Sequence, residues 1–168
     1  MMKMDTSFFK PSGKSSLQTY FQKLEKAAQV ILVHNTFTKQ ADINFIKQSR
    51  DAETVWFCLC ANANLYIENA LPPLDLFCKN ACNMVIGTDS LASNHSLSLL
   101  DEMKTIQQHF PTVGLEEMLR WATQNGAKAL QMDDALGNLQ PGKKPGLVLI
   151  ENLENGRLGN GTSVRRLA

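Results

Sequence analysis

The sequence carries almost no excess of charge of either sign: 17 lysines and arginines face 16 acidic residues, for a formal net charge of +1. The basic residues are scattered, which argues against a nucleic-acid-binding surface or a polybasic membrane surface. No apolar run is long enough to span a bilayer. The opening Met1–Ser7 has no apolar h-region, so no cleaved secretory signal is expected. The expectation is a cytoplasmic protein without a membrane partner. A CxxC pair is also missing. The four cysteines sit at 58, 60, 78 and 82, spacings that do not match a zinc ribbon. Without a secretory signal a disulfide framework is not expected either. They read as buried free thiols acting as small hydrophobes. Cys58 and Cys60 fall on one face of a strand-like run, Cys78 and Cys82 on one face of a helix-like segment.

What is present is the texture of a globular α/β protein. The 168 residues suffice for one domain with a real core. The first dozen residues read as a loop or frayed arm. Ser15 with Gln18 is a capping-box signature, opening an amphipathic segment striped by Leu17, Tyr20, Phe21, Leu24 and Ala28. Val30–Val33 is continuously apolar, as strands covered on both faces are. A helix around Ala41–Gln48 with Ile43 and Ile46 buried leads to a second apolar run, Thr54–Cys60, that ends in the polar Ala61–Asn64. Pro72 and Pro73 open a helix carrying Leu74, Leu76, Phe77 and Cys78. A third run, Met84–Ile86, closes in Gly87-Thr88-Asp89-Ser90. Two helices are then predicted, Ser96–Phe110, striped by Leu97, Leu100, Met103 and Phe110, and Gly114–Gln124, stopped by Asn125-Gly126. Glycine and proline turns surround a short strand at Leu147–Ile150, and Val164–Leu167 reads as an edge strand.

Three strand–helix units of parallel type thus precede a helical stretch and a small β appendage. Their strands end in His34-Asn35, Asn62-Ala63-Asn64 and Thr88-Asp89-Ser90. In parallel α/β architectures the C-terminal strand ends form the functional face. Periodicity alone is equally compatible with a catalytic site there and with polar residues that merely cap the strands.

The segment Ile86-Gly87-Thr88-Asp89-Ser90-Leu91-Ala92-Ser93-Asn94 resembles the GTD-x-x-x-SN motif of the amidohydrolase superfamily. The nearest branch is that of chlorohydrolases, S-adenosylhomocysteine deaminases and guanine deaminases. Ser96–Lys104, Ala122–Leu130 and Gly137-x-Leu139-x-Pro141-Gly142-Lys143 are similar to the same branch, in the same order. Ile31-Leu32-Val33-His34 looks like its sixth strand, and Asn62-Ala63-Asn64-Leu65 occupies the place of its HNPxSN loop after strand seven. That loop's histidine is here Leu59, and its proline and serine are Ala61 and Ala63, so the pocket departs from the commonest one. The usual Lys-x-Ala-Asp before the late strand is replaced by Lys144-Pro145-Gly146.

The resemblance implies an α/β fold: part of a (β/α)8 TIM-type barrel, strands six to eight with their helices over residues 1–136, plus a β appendage over 137–168. It implies a divalent metal, zinc before iron, that activates water to attack a carbon bearing an amine, an amide nitrogen or a chlorine. Asp89 would be metal ligand and general base, and His34 would hydrogen-bond the water or polarise the substrate. Asn64, Ser93 and Asn94 would belong to the substrate-binding loops, ordering them more than touching substrate. The implied substrate is a small heterocyclic or nucleoside-like amine. His95 and His109 are expected at the surface.

The family's metal site draws an HxH pair from the first strand and another histidine from the fifth. Only His34, His95 and His109 occur here, and no HxH. A closed barrel takes about 250 residues. The chain therefore reads as a C-terminal piece, inactive by itself and a weak metal binder, because catalytic zinc wants three protein ligands. Open sheet edges and an uncovered apolar face predict a homo-oligomer. Two other readings stand beside this one. The chain could be a non-catalytic relative kept for assembly or binding. It could also be an open α/β small-ligand domain with the Asn62 and Asp89 loops as its pocket, a reading that strands paired out of consecutive order would favour.

Overall fold

The computed structural model describes Asp5, Ser7, Phe8 and residues 10–168. Part of the predicted N-terminal arm lies outside the described residues; residues 10–15 are neither helix nor strand. The element order is α1 (Ser16–Phe21), β1 (Val30–Val33), α2 (Gln40–Ser49), β2 (Val55–Leu59), α3 (Ala61–Glu68), α4 (Leu74–Lys79), β3 (Asn83–Ile86), α5 (Leu99–His109), α6 (Leu115–Arg120), α7 (Gly126–Ala129), β4 (Val148–Glu151) and β5 (Ser163–Arg166). The first three strands form one parallel sheet in the order β1-β2-β3, with Val33 opposite Cys58 and Cys58 opposite Val85. The strands pair consecutively, so the out-of-order pairing that would favour the open α/β alternative is not found.

Side-chain alternation along the strands sorts the core. Val30, Val55, Phe57, Leu59, Met84 and Ile86 point into the main cluster. There they meet Ile43 and Ile46 of α2, Leu74 and Phe77 of α4, and Leu100, Met103 and Ile106 of α5. The other face carries Trp56, Val85 and the half-buried Cys58, with Ala129 of α7 packed against them. Covering both faces of β1, as its apolar run predicts, does not occur: Ile31 and Val33 are 37% and 48% exposed. β1 is an edge strand, and the α6–α7 segment packs on β3, too far across the sheet to shield it.

Several boundaries differ from their sequence reading for local reasons. Ser15 caps α1 by accepting the Gln18 N–H, but Gln18 reaches across to Asp42 rather than back to Ser15, and the helix stops at Phe21 with Tyr20 and Leu24 exposed. The polar stretch after β2 is not a loop but the first turn of α3, entered directly from Cys60. Ser98, in extended conformation, accepts the Asp101 N–H and starts α5 there, which leaves Leu97 outside the helix and 61% exposed. Asn125-Gly126 does not end the α6 helix. The chain passes through a wide π-type turn at Trp121–Asn125 and continues helically, with Gly126 at φ −57°, until Gln131 turns left-handed at φ +56°. This turn directs Asn125 Nδ2 onto the Met84 carbonyl at 2.8 Å, on the side of β3 away from β2, so that edge is partly capped.

β4 and β5 form an antiparallel ribbon. It docks on α5 by Leu158, which is buried in the main core, by reciprocal bonds between Gln107 and the Leu158 backbone (2.8 and 3.0 Å), and by Lys104 Nζ to the Thr162 carbonyl. The buried-thiol expectation holds for Cys60; Cys58 and Cys82 are half-buried, and Cys78 is exposed because it faces away from the Phe77 side of a one-and-a-half-turn helix. Among the described residues no helix is long and apolar enough to cross a membrane.

Candidate functional site

The C-terminal ends of β1 and β3 converge across the end of β2. His34 follows β1 directly, its N–H bonded to the Cys58 carbonyl. Asp89 follows β3 by three residues. His34 Nε2 and Asp89 Oδ2 lie 3.6 Å apart, each side chain 33% exposed. That separation exceeds a hydrogen bond but suits two donors of one ion. Bonds of about 2.1 Å at a tetrahedral angle place nitrogen and oxygen about 3.4 Å apart.

Both residues hold left-handed backbone, His34 at φ +68° and Asp89 at φ +59°, as does Asn35 at φ +55°. For non-glycine residues that conformation is uncommon, histidine, aspartate and asparagine adopting it more readily than most. Two such residues meeting at one point is a concentration of strain of the kind found at functional sites.

A shell of hydrogen bonds supports the pair. Ser93 Oγ donates to Asp89 Oδ2 at 2.6 Å. On the other side, Asn64 Oδ1 faces His34 Nδ1 at 3.4 Å while its Nδ2 donates to Thr36 Oγ1 at 2.6 Å. Asn64 and Ser93 are both buried, so they hold the loops and present little surface to solvent. Asn94, also buried, stands behind the site: its Nδ2 donates to the Thr88 carbonyl (2.8 Å) and to Glu102 Oε1 (2.6 Å). His95 and His109 are exposed and take no part.

Glu102 is the residue the sequence reading missed. Its side chain is completely buried, and its second oxygen accepts the Asn62 N–H at 3.1 Å. One carboxylate thereby joins the start of α3 to the loop after β3. Burial pushes its pKa above the ordinary glutamate value, against the pull of the Asn62 and Asn94 bonds. A signal was available: Glu102 lies four residues before Ile106, on the apolar stripe of α5, where an acidic residue needs dedicated partners. Two buried amide nitrogens near the site, Asn35 Nδ2 and Asn62 Nδ2, have no partner among the described residues.

A cleft of about 290 Å3 lies at the opposite end of β3, lined by Asp75, Cys78, Cys82, Glu117 and Trp121 among others. One of about 200 Å3 lies behind the Leu91–His95 loop. Neither includes His34 or Asp89. Among the described residues no group of three or more histidines, cysteines or carboxylates could hold a metal ion. Asp89 fits one position of a metal site with His34 beside it, and the described residues bring no three-donor set together there.

Comparison with known proteins decides the family. The sequence profile of the Amidohydrolase family matches residues 12–162. The chain belongs to the amidohydrolase family. Among its curated relatives, a 5-methylthioadenosine/S-adenosylhomocysteine deaminase of Teredinibacter turnerae is 29% identical over 152 residues, covering 86% of this chain and 34% of the relative. A 5'-deoxyadenosine deaminase of Methanosphaera stadtmanae is 26% identical, covering 82% of this chain and 33% of the relative. Among solved structures, an adenosine deaminase from Xanthomonas campestris with bound zinc superposes with a TM-score of 0.62 at 29% identity, over 72% of this chain and 28% of that one. This amidohydrolase chain therefore spans about a third of the length of the curated relatives named here.

Proposed function

We propose that this chain is the strand-end portion of a hydrolytic deaminase-type amidohydrolase, in which Asp89 serves as metal ligand and proton acceptor and His34 orients water or substrate. The convergence of His34 and Asp89 at 3.6 Å, both in strained left-handed backbone, carries the reading. Its three parallel strands correspond to strands six to eight of a (β/α)8 barrel, in keeping with their consecutive pairing and with the fold of the deaminase relatives. The substrate class is a small heterocyclic or nucleoside-like amine, and water replaces the amine at an sp2 carbon. A divalent ion, zinc by analogy with the adenosine deaminase neighbour, would supply the activated water when bound. Ser93, fixed on Asp89 Oδ2, leaves Oδ1 free to accept a proton, and Asn64 sets the orientation of the imidazole. Asn64, Ser93 and Asn94 act by shaping the substrate-binding loops. The protein would work in the cytoplasm.

One carboxylate and one imidazole fall short of a catalytic zinc site. The chain alone is therefore proposed to bind zinc weakly and to turn over negligibly. Zinc titration followed by histidine NMR tests this. His34 resonances should move at submillimolar to millimolar zinc, those of His95 and His109 should not, and Asp89→Asn should abolish the response. An equal response of His34 in Asp89→Asn, or ammonia release from adenosine or guanine at the rate of an intact deaminase, overturns the proposal.

A second reading, a non-catalytic relative serving assembly, is favoured by one observation: the free edge of β1 and the exposure of Ile31 and Val33 beside it. It makes the chain a homo-oligomer through that face.

A further inference from the structure

Cys58 and Cys60 lie under the strand-end site and take no part in it. Their Sγ atoms are 3.9 Å apart. Two residues apart on an extended strand, cysteine Cα atoms stand roughly 6.5–7 Å apart, at the limit of what a disulfide spans. Cys58 lies in β2, and Cys60 directly follows the end of that strand at Leu59. Both sulfurs lean into the same notch over Gly87. A Cβ at Gly87 would sit 2.9 Å from the Cys58 sulfur and 3.4 Å from the Cys60 sulfur. The missing side chain leaves both sulfurs room to approach. Cys58 is half-buried and reachable from the open sheet face, whereas Cys60 is 1% exposed.

We propose that Cys58 and Cys60 form a modification site, a dithiol that a peroxide-class oxidant closes to an intramolecular disulfide. The Cys58 thiol gives up its proton and its sulfur attacks one peroxide oxygen; the O–O bond breaks, the departing hydroxide takes that proton and leaves as the first water, and Cys58 becomes a sulfenic acid. The Cys60 sulfur then attacks the Cys58 sulfur, forming S–S and breaking S–O. The Cys60 proton departs with the second water. Two thiols lose two electrons in all, and the peroxide is reduced to two waters. Closing the gap to about 2.05 Å moves the sulfurs by roughly 1.9 Å. The Cys60 carbonyl accepts the Asn64 N–H at 2.9 Å, and Asn64 faces His34, so the oxidised state re-sets the neighbour of the imidazole. The disulfide itself does not depend on the hydrolase reading; only its effect on His34 does.

The test uses the full chain carrying Cys78→Ser and Cys82→Ser, treated with one equivalent of hydrogen peroxide. Iodoacetamide alkylation in denaturant and intact mass then report the thiols. The expected product is a monomer two hydrogens lighter, with neither thiol alkylated, restored by dithiothreitol. Adding Cys60→Ser should instead leave Cys58 trapped by dimedone as a sulfenic acid. His34 resonances should shift on oxidation and return on reduction. Accumulation of Cys58 sulfinic acid with Cys60 still free, or a disulfide between two chains, overturns the proposal. Peptide mapping of the oxidised wild-type chain gives the same reading should the serine variants fold poorly.

Discussion

Replacing Glu102 by leucine tests whether one buried carboxylate holds the two site loops together. Leucine fills much of the same volume, so the cavity cost is small, but it removes both acceptors. The Asn62 N–H loses its partner outright, and Asn94 Nδ2 keeps only the Thr88 carbonyl. Hydrogen bonds to a charged group contribute about 1.5–3 kcal/mol each. Releasing the buried charge gives part of this back, since burial already raises the Glu102 pKa. A net loss of about 2–3 kcal/mol is expected. For a chain of this size that corresponds to a Tm lower by about 4–12 °C. Glu102→Gln should cost about 1–2 kcal/mol, less than leucine, because the neutral amide sheds the desolvation penalty and keeps one acceptor while its NH2 faces the other N–H. The pH dependence has a definite sign. A carboxyl whose native pKa is raised binds its proton more tightly folded than unfolded. Wild-type stability relative to Glu102→Gln should be greatest below the ordinary glutamate pKa and decline as pH rises through the elevated native one. Urea unfolding followed by circular dichroism measures these differences, and amide exchange over 88–94 reports whether the Asp89 loop loosens. A leucine variant as stable as wild type, with unchanged exchange in that loop, refutes the clamp.

Asp42 shows the opposite pH behaviour. Burial pushes its carboxyl up, but bonds from Ser15 Oγ, the Lys39 N–H and Gln18 Nε2 outweigh it and leave the pKa lowered. Asp42→Asn should cost about 1–2 kcal/mol at neutral pH. The deficit should fade as pH falls through the depressed native pKa, and a deficit independent of pH in urea unfolding would refute the linkage. At the β1 edge, Ile31→Lys or Val33→Lys should shift a self-associating wild-type chain toward monomer in sedimentation equilibrium without unfolding it. Unchanged association would remove this face from the interface.

Much of the architecture was legible in the chain. The apolar runs at 30–33, 54–60 and 84–86 became the three strands within a residue, because side-chain burial along a short parallel strand leaves a clear pattern. Ile43 and Ile46 are buried as their helical spacing requires. The GTD-x-x-x-SN segment marked Asp89, Ser93 and Asn94, and the end of the first strand marked His34. Local signals failed where a distant partner decided the outcome. Gln18 satisfies Asp42 rather than its own cap, and Asn125-Gly126 continues a helix because Asn125 reaches the Met84 carbonyl on a neighbouring strand.

The sequence by itself determined the family, the order of the elements and the polar residues at the strand ends, since these depend on residue type and spacing along the chain. Only the tertiary structure decided which of those residues meet. It set His34 against Asp89 from strands 55 residues apart, put Glu102 behind both loops, and left one face of β1 open. Such contacts arise from sheet register and from long-range hydrogen bonds, which no local window of sequence contains.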